Sequence, residues 1–113
     1  MKQYALTLDL KDDPALIEAY KQHHQQVWPQ VIASLKQVGV LDMQIYCHGN
    51  RLFMLSTTVD DYEPQRAYEA YLQLDPACRE WEALMDQFQQ RLPGALPDEK
   101  WLPMECCFDM QKC

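Results

Sequence analysis

The sequence predicts an α+β fold in which helices cover one face of an antiparallel sheet. Two observations predict it. First, the 113 residues are 48% apolar and 24% charged, which is ordinary for one compact domain. Second, stretches with the two-residue period of strands alternate with stretches that have the helical period. We therefore expect residues 1–113 to form a single domain.

The first part of the chain predicts a strand followed by a long, bent helix. Apolar and polar side chains alternate from Tyr4 to Leu10, as in a strand with one buried face. Asp13 and Pro14 supply a capping acid and a residue suited to the first helical position. Because Pro29 lacks an amide donor, we expect the helix to kink or break there before it resumes to Gly39.

The middle of the chain predicts a hairpin. The segments Leu41–Cys47 and Arg51–Val59 are rich in apolar, β-branched and aromatic residues. His48, Gly49 and Asn50 separate them with residues typical of a tight turn. These segments are the predicted second and third strands.

The last part of the chain predicts two helices and a final strand. Helical periodicity runs over Tyr62–Leu74 and Pro76–Leu92, with Leu96–Glu99 as a loop. Trp101–Met110 is apolar enough for a strand, in which Pro103 requires an edge or a strand start. The resulting order, βαββαβ, is that of a ferredoxin-like sandwich.

Such a sandwich leaves one face of its sheet uncovered. A second copy of the chain would bury that face at this chain length, so we expect a homodimer. Its two sheets would meet face to face or nearly close into a dimeric α/β barrel.

Composition excludes several classes of partner. The formal charge of −7, with no cluster of lysine or arginine, argues against binding to nucleic acid. The apolar runs are far shorter than the roughly 20 residues of a membrane span, and we see no export signal. The five cysteines are an odd number without metal-site spacing, which predicts reduced thiols in the cytoplasm and no structural zinc.

Three aromatic side chains on the first helix carry the predicted chemistry. Tyr20, His24 and Trp28 follow one another at intervals of four, which places them on one helix face. An imidazole exchanges protons near neutrality, a phenol donates a hydrogen bond, and an aromatic ring packs against a sugar. By spacing alone, the neighbouring His23 could equally face a pocket, and packing in the core is the alternative for all of them.

The segment from Tyr20 to Pro29 resembles the signature of the L-rhamnose mutarotase family, in which a tyrosine, a histidine and a Trp-Pro pair follow at intervals of four. Similar residues also occur at Gly39, Ile45–Tyr46, Arg51–Met54 and Cys78–Met85. The resemblance implies a dimeric, cofactor-free mutarotase of 6-deoxy-L-hexoses, with His24 as the catalytic acid/base and Tyr20 as a sugar-binding tyrosine.

Two positions depart from the family pattern. Met43 replaces a second sugar-binding tyrosine, and Trp81-Glu82 replaces a Trp-Trp pair. These positions are expected to bind substrate, with Trp28 and Trp81 as stacking walls. Because methionine cannot donate a hydrogen bond and glutamate adds an acceptor, the preferred sugar, L-rhamnose or L-fucose, stays open.

Glu82 and Glu105 are candidates for a second acid/base, because a carboxylate near His24 would raise the proton affinity of the imidazole.

Two other functions fit the same scaffold. One is a cofactor-free monooxygenase of the dimeric α/β-barrel type, and the other is a non-catalytic binding module.

Overall fold

The computed structural model describes residues 1–96 and 100–111. Within them, helices and strands follow in the order βααββααββ. The elements are β1 (Lys2–Leu10), α1 (Pro14–His23), α2 (Pro29–Gln37), β2 (Val40–His48), β3 (Arg51–Thr58), α3 (Pro64–Leu74), α4 (Pro76–Asp86), β4 (Gln89–Gln90) and β5 (Leu102–Pro103).

The strands form one antiparallel sheet in the order β2-β3-β1-β4, and β5 also pairs with β1. Leu8 of β1 lies opposite Leu52 of β3, which in turn lies opposite Cys47 of β2. Placing β1 between β3 and β4 is the strand order of a ferredoxin-like sheet. The predicted fold class is therefore confirmed.

The helices cover the face of the sheet that carries the even-numbered residues of β1. Leu10 and Leu52 project from the sheet into a buried cluster with Val31 of α2, Tyr71 of α3 and Met85 of α4. The helices are too short to be stable alone, so burial of this apolar face stabilises both layers together.

The predicted break in the first helix is confirmed. Asp13 caps α1, since its Oδ1 accepts hydrogen bonds from the amides of Ala15 (2.9 Å) and Leu16 (3.4 Å). The helix ends at His23, and α2 starts at Pro29. Pro29 has no amide hydrogen with which to continue the first helix, but it suits the first position of the second.

Part of the segment predicted as the last helix forms a strand instead. The last helix ends at Asp86 rather than Leu92, because Gln89 and Gln90 pair with Leu10 and Asp9 of β1. Pairing with a distant strand therefore overrides the local helical period.

The final strand is shorter than predicted. Only Leu102 and Pro103 pair with β1, at the edge position that proline requires. Met104 still donates its amide to the carbonyl of Ala5 (2.8 Å), after which residues 105–111 form no strand. Of the predicted loop before this strand, residues 97–99 lie outside the described residues, as does Cys113.

The opposite face of the sheet carries apolar side chains that none of the helices in residues 1–96 and 100–111 covers. The rings of Tyr46 and Phe53 are stacked, with centroids 6.1 Å apart, and Tyr46 is 56% exposed. Leu55 shares this face two residues further along β3. The homodimer that would cover it stays a prediction. Among the described residues, no helix has the length and apolar character needed to cross a membrane.

Candidate active site

The C-terminal turn of α1 brings Tyr20 and His24 together. Their ring centroids are 4.3 Å apart, as the interval of four predicts. Tyr20 is only 3% exposed, whereas His24 is half-buried. The imidazole is therefore neither enclosed in the core nor turned out to bulk solvent.

The end of the helix also sets the protonation state of His24. Its Nδ1 lies 2.9 Å from the backbone carbonyl oxygen of Tyr20. Because a carbonyl can only accept a hydrogen bond, Nδ1 must carry the proton, and Nε2 of the neutral ring is a free base. Burial lowers the pKa of His24, and the neighbouring His23 lowers it further, against the opposing effect of the Tyr20 carbonyl. At neutral pH the ring is thus ready to accept a proton.

Tyr20 is a poor acid but a good hydrogen-bonding group. Burial raises the pKa of its phenol to about 12, with a smaller effect in the same direction from Glu82. A hydrogen bond with the side chain of Gln89 has the opposite effect. With a pKa this high, the Tyr20 hydroxyl keeps its hydrogen at neutral pH and can donate it.

Trp81 packs against the imidazole and, on another side, against Trp28. The ring of Trp81, on α4, lies with its centroid 5.5 Å from that of His24 and 5.1 Å from that of Trp28. Trp28 is half-buried and precedes α2, so the helix break removes it from the α1 face that the spacing predicted. Trp28 is instead part of the site because its ring contacts that of Trp81.

His23 also packs against Trp81, but its second ring contact is with Phe88 rather than Tyr20. Its ring lies 5.4 Å from that of Phe88 and 6.5 Å from that of Trp81, both measured between centroids. The structure therefore distinguishes the two histidines by their surroundings, since of the two only His24 has a ring contact with Tyr20 among the described residues.

Glu82 is held in a polar cluster beside Trp81. Its Oε2 accepts hydrogen bonds from the Tyr68 hydroxyl (3.3 Å) and from Lys100 Nζ (2.9 Å). Lys100 Nζ also lies 3.0 Å from Asp86 Oδ1. Tyr68 and Lys100 both donate to Oε2 of Glu82, so its other oxygen, Oε1, is bonded to neither of them.

The remaining predicted residues, Met43 and Glu105, lie on β2 and after β5. Met43 is on the helix-covered face of β2, opposite Ser56, and is half-buried. Glu105 is exposed, beyond the end of β5. The structure thus links Tyr20, His24, Trp81 and Trp28 by a series of ring contacts. Glu82 is close enough to Tyr20 to raise the pKa of its phenol. Neither Met43 nor Glu105, both among the described residues, has a hydrogen bond, ion pair or ring contact with His24.

Sequence reasoning missed two residues at this site, Gln89 and Lys100. Both depend on long-range structure: Gln89 is positioned by pairing with Leu10, and Lys100 by ion pairs to α4. Neither has a local pattern that would have revealed it.

The site is a partly open surface in the single chain. Two shallow, open depressions of about 400 and 340 Å³ lie along α3 and include none of the four aromatic site residues. In the described parts of the chain, no three His, Cys, Asp or Glu side chains are grouped to hold a metal ion.

Comparison with known proteins gives consistent matches over nearly the whole chain. The model of a family described as L-rhamnose mutarotase matches residues 3–110. An L-fucose mutarotase from Xanthomonas campestris pv. campestris is 47% identical over 103 residues, which cover 89% of this chain and 82% of the relative. An L-rhamnose mutarotase from Mesorhizobium japonicum is 30% identical over 111 residues, covering 96% and 97%.

Solved structures agree with these matches. The crystal structure of an L-rhamnose mutarotase from Formosa agariphila has a TM-score of 0.69 and 25% identity, and covers 97% of this chain and 99% of that one. A dimeric ferredoxin-like protein from an uncultured marine organism has a TM-score of 0.54 at 13% identity, covering 95% and 90%, which is a likeness of fold alone.

Proposed function

The chain belongs to the L-rhamnose mutarotase family, and from that membership we propose that it is an isomerase that interconverts the α and β anomers of a 6-deoxy-L-hexose. The observation that supports this reaction is the half-buried His24, whose Nδ1 is bonded to a backbone carbonyl and whose Nε2 is therefore a free base. One such group suffices for a reaction that also proceeds slowly in water.

The proposed reaction moves one proton in each direction. Nε2 of His24 removes the proton of the anomeric hydroxyl, a C=O bond forms at carbon 1, and the bond from carbon 1 to the ring oxygen breaks. The imidazolium supplies a proton to the ring oxygen, which becomes a hydroxyl. The aldehyde then rotates and the ring closes from its other face by the same steps in reverse.

Neighbouring side chains orient the sugar in this proposal. Tyr20 retains its hydroxyl hydrogen and donates it to the substrate, while the indoles of Trp28 and Trp81 pack against the apolar face of the ring. Glu82, through Oε1, accepts a hydrogen bond from a sugar hydroxyl. Because Lys100 and Tyr68 hold its other oxygen, we assign Glu82 to binding rather than to proton transfer.

Among the two candidate sugars we favour L-fucose. The support is the L-fucose mutarotase that is 47% identical, against 30% for the L-rhamnose mutarotase from Mesorhizobium japonicum. The two sugars differ in the orientation of the hydroxyls on carbons 2 and 4, and Met43 and Glu82 are the positions at which hydrogen-bonding capacity departs from the family pattern.

We further propose that the protein acts as a homodimer in the cytoplasm. The apolar face around Tyr46 and Phe53 supports a second copy as its cover. The free thiols of Cys47, Cys78, Cys106 and Cys107 suit a reducing compartment.

The test compares anomer exchange of L-fucose and L-rhamnose by saturation-difference NMR. We expect the intact protein to accelerate exchange, and the substitution His24→Ala to lower that acceleration by about 10²–10⁴-fold, the usual contribution of a positioned acid/base. The matched control is His23→Ala, which removes the adjacent imidazole and should retain most activity. Equal activity of His24→Ala and the intact protein would contradict the assignment.

A further inference from the structure

A buried amide beneath the candidate active site has an unsatisfied oxygen. Gln89 is 6% exposed, and its Oε1 has no hydrogen-bond partner within the described parts of the chain. It is opposite Leu10 in the sheet and follows the buried Phe88, so its surroundings are largely apolar. A buried acceptor without a donor destabilises a protein, so its retention needs an explanation.

The position of this amide relates the unsatisfied oxygen to the site. Phe88, the residue before Gln89, has its ring centroid 6.4 Å from that of Tyr20. Leu10, which lies opposite Gln89 in the sheet, packs in one buried cluster with Tyr20 and Trp81, and the side chain of Gln89 lowers the pKa of the Tyr20 phenol. Tyr20 in turn packs against His24, with ring centroids 4.3 Å apart.

We propose that Gln89 is a further substrate-binding residue, whose Oε1 accepts a hydrogen bond from a hydroxyl of the sugar bound at His24. This inference rests on the proposed function. The carbonyl oxygen of this side-chain amide then selects a hydroxyl at one carbon of the sugar. A site built to accept from a hydroxyl discriminates strongly against a sugar that lacks it.

The burial of Oε1 adds a requirement. Since this oxygen is covered in the free chain, the sugar has to displace a covering side chain before it can donate to it. Binding is therefore accompanied by a local rearrangement of the side chains that cover Gln89.

The test uses Gln89→Met, which conserves length and volume but removes the amide. The substrates are L-fucose and three analogues that lack the hydroxyl on carbon 2, 3 or 4. With L-fucose we expect KM to rise about 3–10-fold with a smaller change in kcat, as for loss of one hydrogen bond to substrate. With one of the three analogues, KM should be the same in the variant and the intact protein.

Stability gives a second readout that a purely structural glutamine would not produce. The substitution deletes a buried acceptor that lacks a donor, which favours stability, and also the amide that interacts with the Tyr20 hydroxyl, which opposes it, so the melting temperature should change by less than about 4 °C. The matched control is Gln90→Met, in the same two-residue strand but exposed. It should change neither KM nor the melting temperature.

The outcomes separate this inference from the proposed function. If the intact protein fails to accelerate anomer exchange of either natural sugar, the proposed function fails, and this inference with it. If exchange is accelerated but Gln89→Met leaves KM unchanged, or raises it equally for all three analogues, only the role of Gln89 is overturned. A melting temperature lower by more than about 4 °C, with equal effects on every sugar, likewise overturns it. Should Gln89→Met not fold, Gln89→Leu is judged by the same criteria.

Discussion

Lys100 connects the segment before β5 to α4, and its removal is the perturbation that examines the polar cluster most directly. Its Nζ lies 2.9 Å from Glu82 Oε2 and 3.0 Å from Asp86 Oδ1. The side chain of Lys100 is only 15% exposed, and that of Glu82 is 26% exposed. The substitution Lys100→Met keeps the aliphatic length and removes the charge.

The expected magnitude lies between two known limits. Exposed ion pairs contribute about 0.2–1 kcal/mol, whereas breaking a fully buried pair costs about 3–5 kcal/mol. For a cluster that is mostly but not fully buried, we expect the free energy of unfolding to fall by about 1–3 kcal/mol. At about 4 °C per kcal/mol for a domain of this size, the melting temperature should fall by about 4–12 °C.

Urea unfolding followed by circular dichroism measures the change, with Lys11→Met as the matched control at an exposed lysine. The difference between Lys100→Met and the intact protein should shrink in 1 M NaCl, since part of the pairing is screened. The double variant with Glu82→Gln should lose less than the sum of the two single losses. If Lys100→Met unfolds like Lys11→Met, the ion pairs do not contribute to stability and the reasoning is refuted.

Three further predictions follow from the fold and the site. Because burial lowers the pKa of His24 below 6.5, the base is lost only at lower pH, so kcat/KM should fall on acidification with a midpoint below pH 6.5; a midpoint at or above 6.5, measured by NMR exchange, would contradict this. Gly39 has φ +108°, and a Cβ there would approach Val59 Cγ2 to 2.8 Å, so Gly39→Ala should destabilise the chain by about 1–3 kcal/mol in urea unfolding; an unchanged midpoint would be the opposing result. Charging the open sheet face with Tyr46→Lys and Phe53→Lys together should convert a dimer to a monomer in analytical ultracentrifugation, and a monomeric intact protein would refute the dimer.

The sequence was most informative where a single residue determines local geometry. Pro29 has no amide hydrogen and Asp13 has an acceptor one residue before a helix, so the break and the start of α1 were predictable. The contact between Tyr20 and His24 was predictable too, because residues four apart lie one above the other in the last turn of a helix, and His24 directly follows α1.

Features that depend on distant pairing were not predictable in this way. Gln89 and Gln90 continue a helical pattern and have no marked strand preference, and only their pairing with β1 makes them a strand. The surroundings of Gln89 and the ion pairs of Lys100 follow from that arrangement. Trp28 is an intermediate case. The sequence predicted that it lies at the site, but not that it does so through a ring contact with Trp81.

The orientation of the imidazole by the main chain has a consequence for how such a protein can diversify. In many acid/base sites a carboxylate side chain orients the histidine, so that one substitution disables both groups. Here the orienting group is the carbonyl of Tyr20, which every amino acid at that position would supply. Sugar preference can therefore change through replacements around the ring, as at Met43 and Glu82, while the proton-transfer group is inherited unaltered.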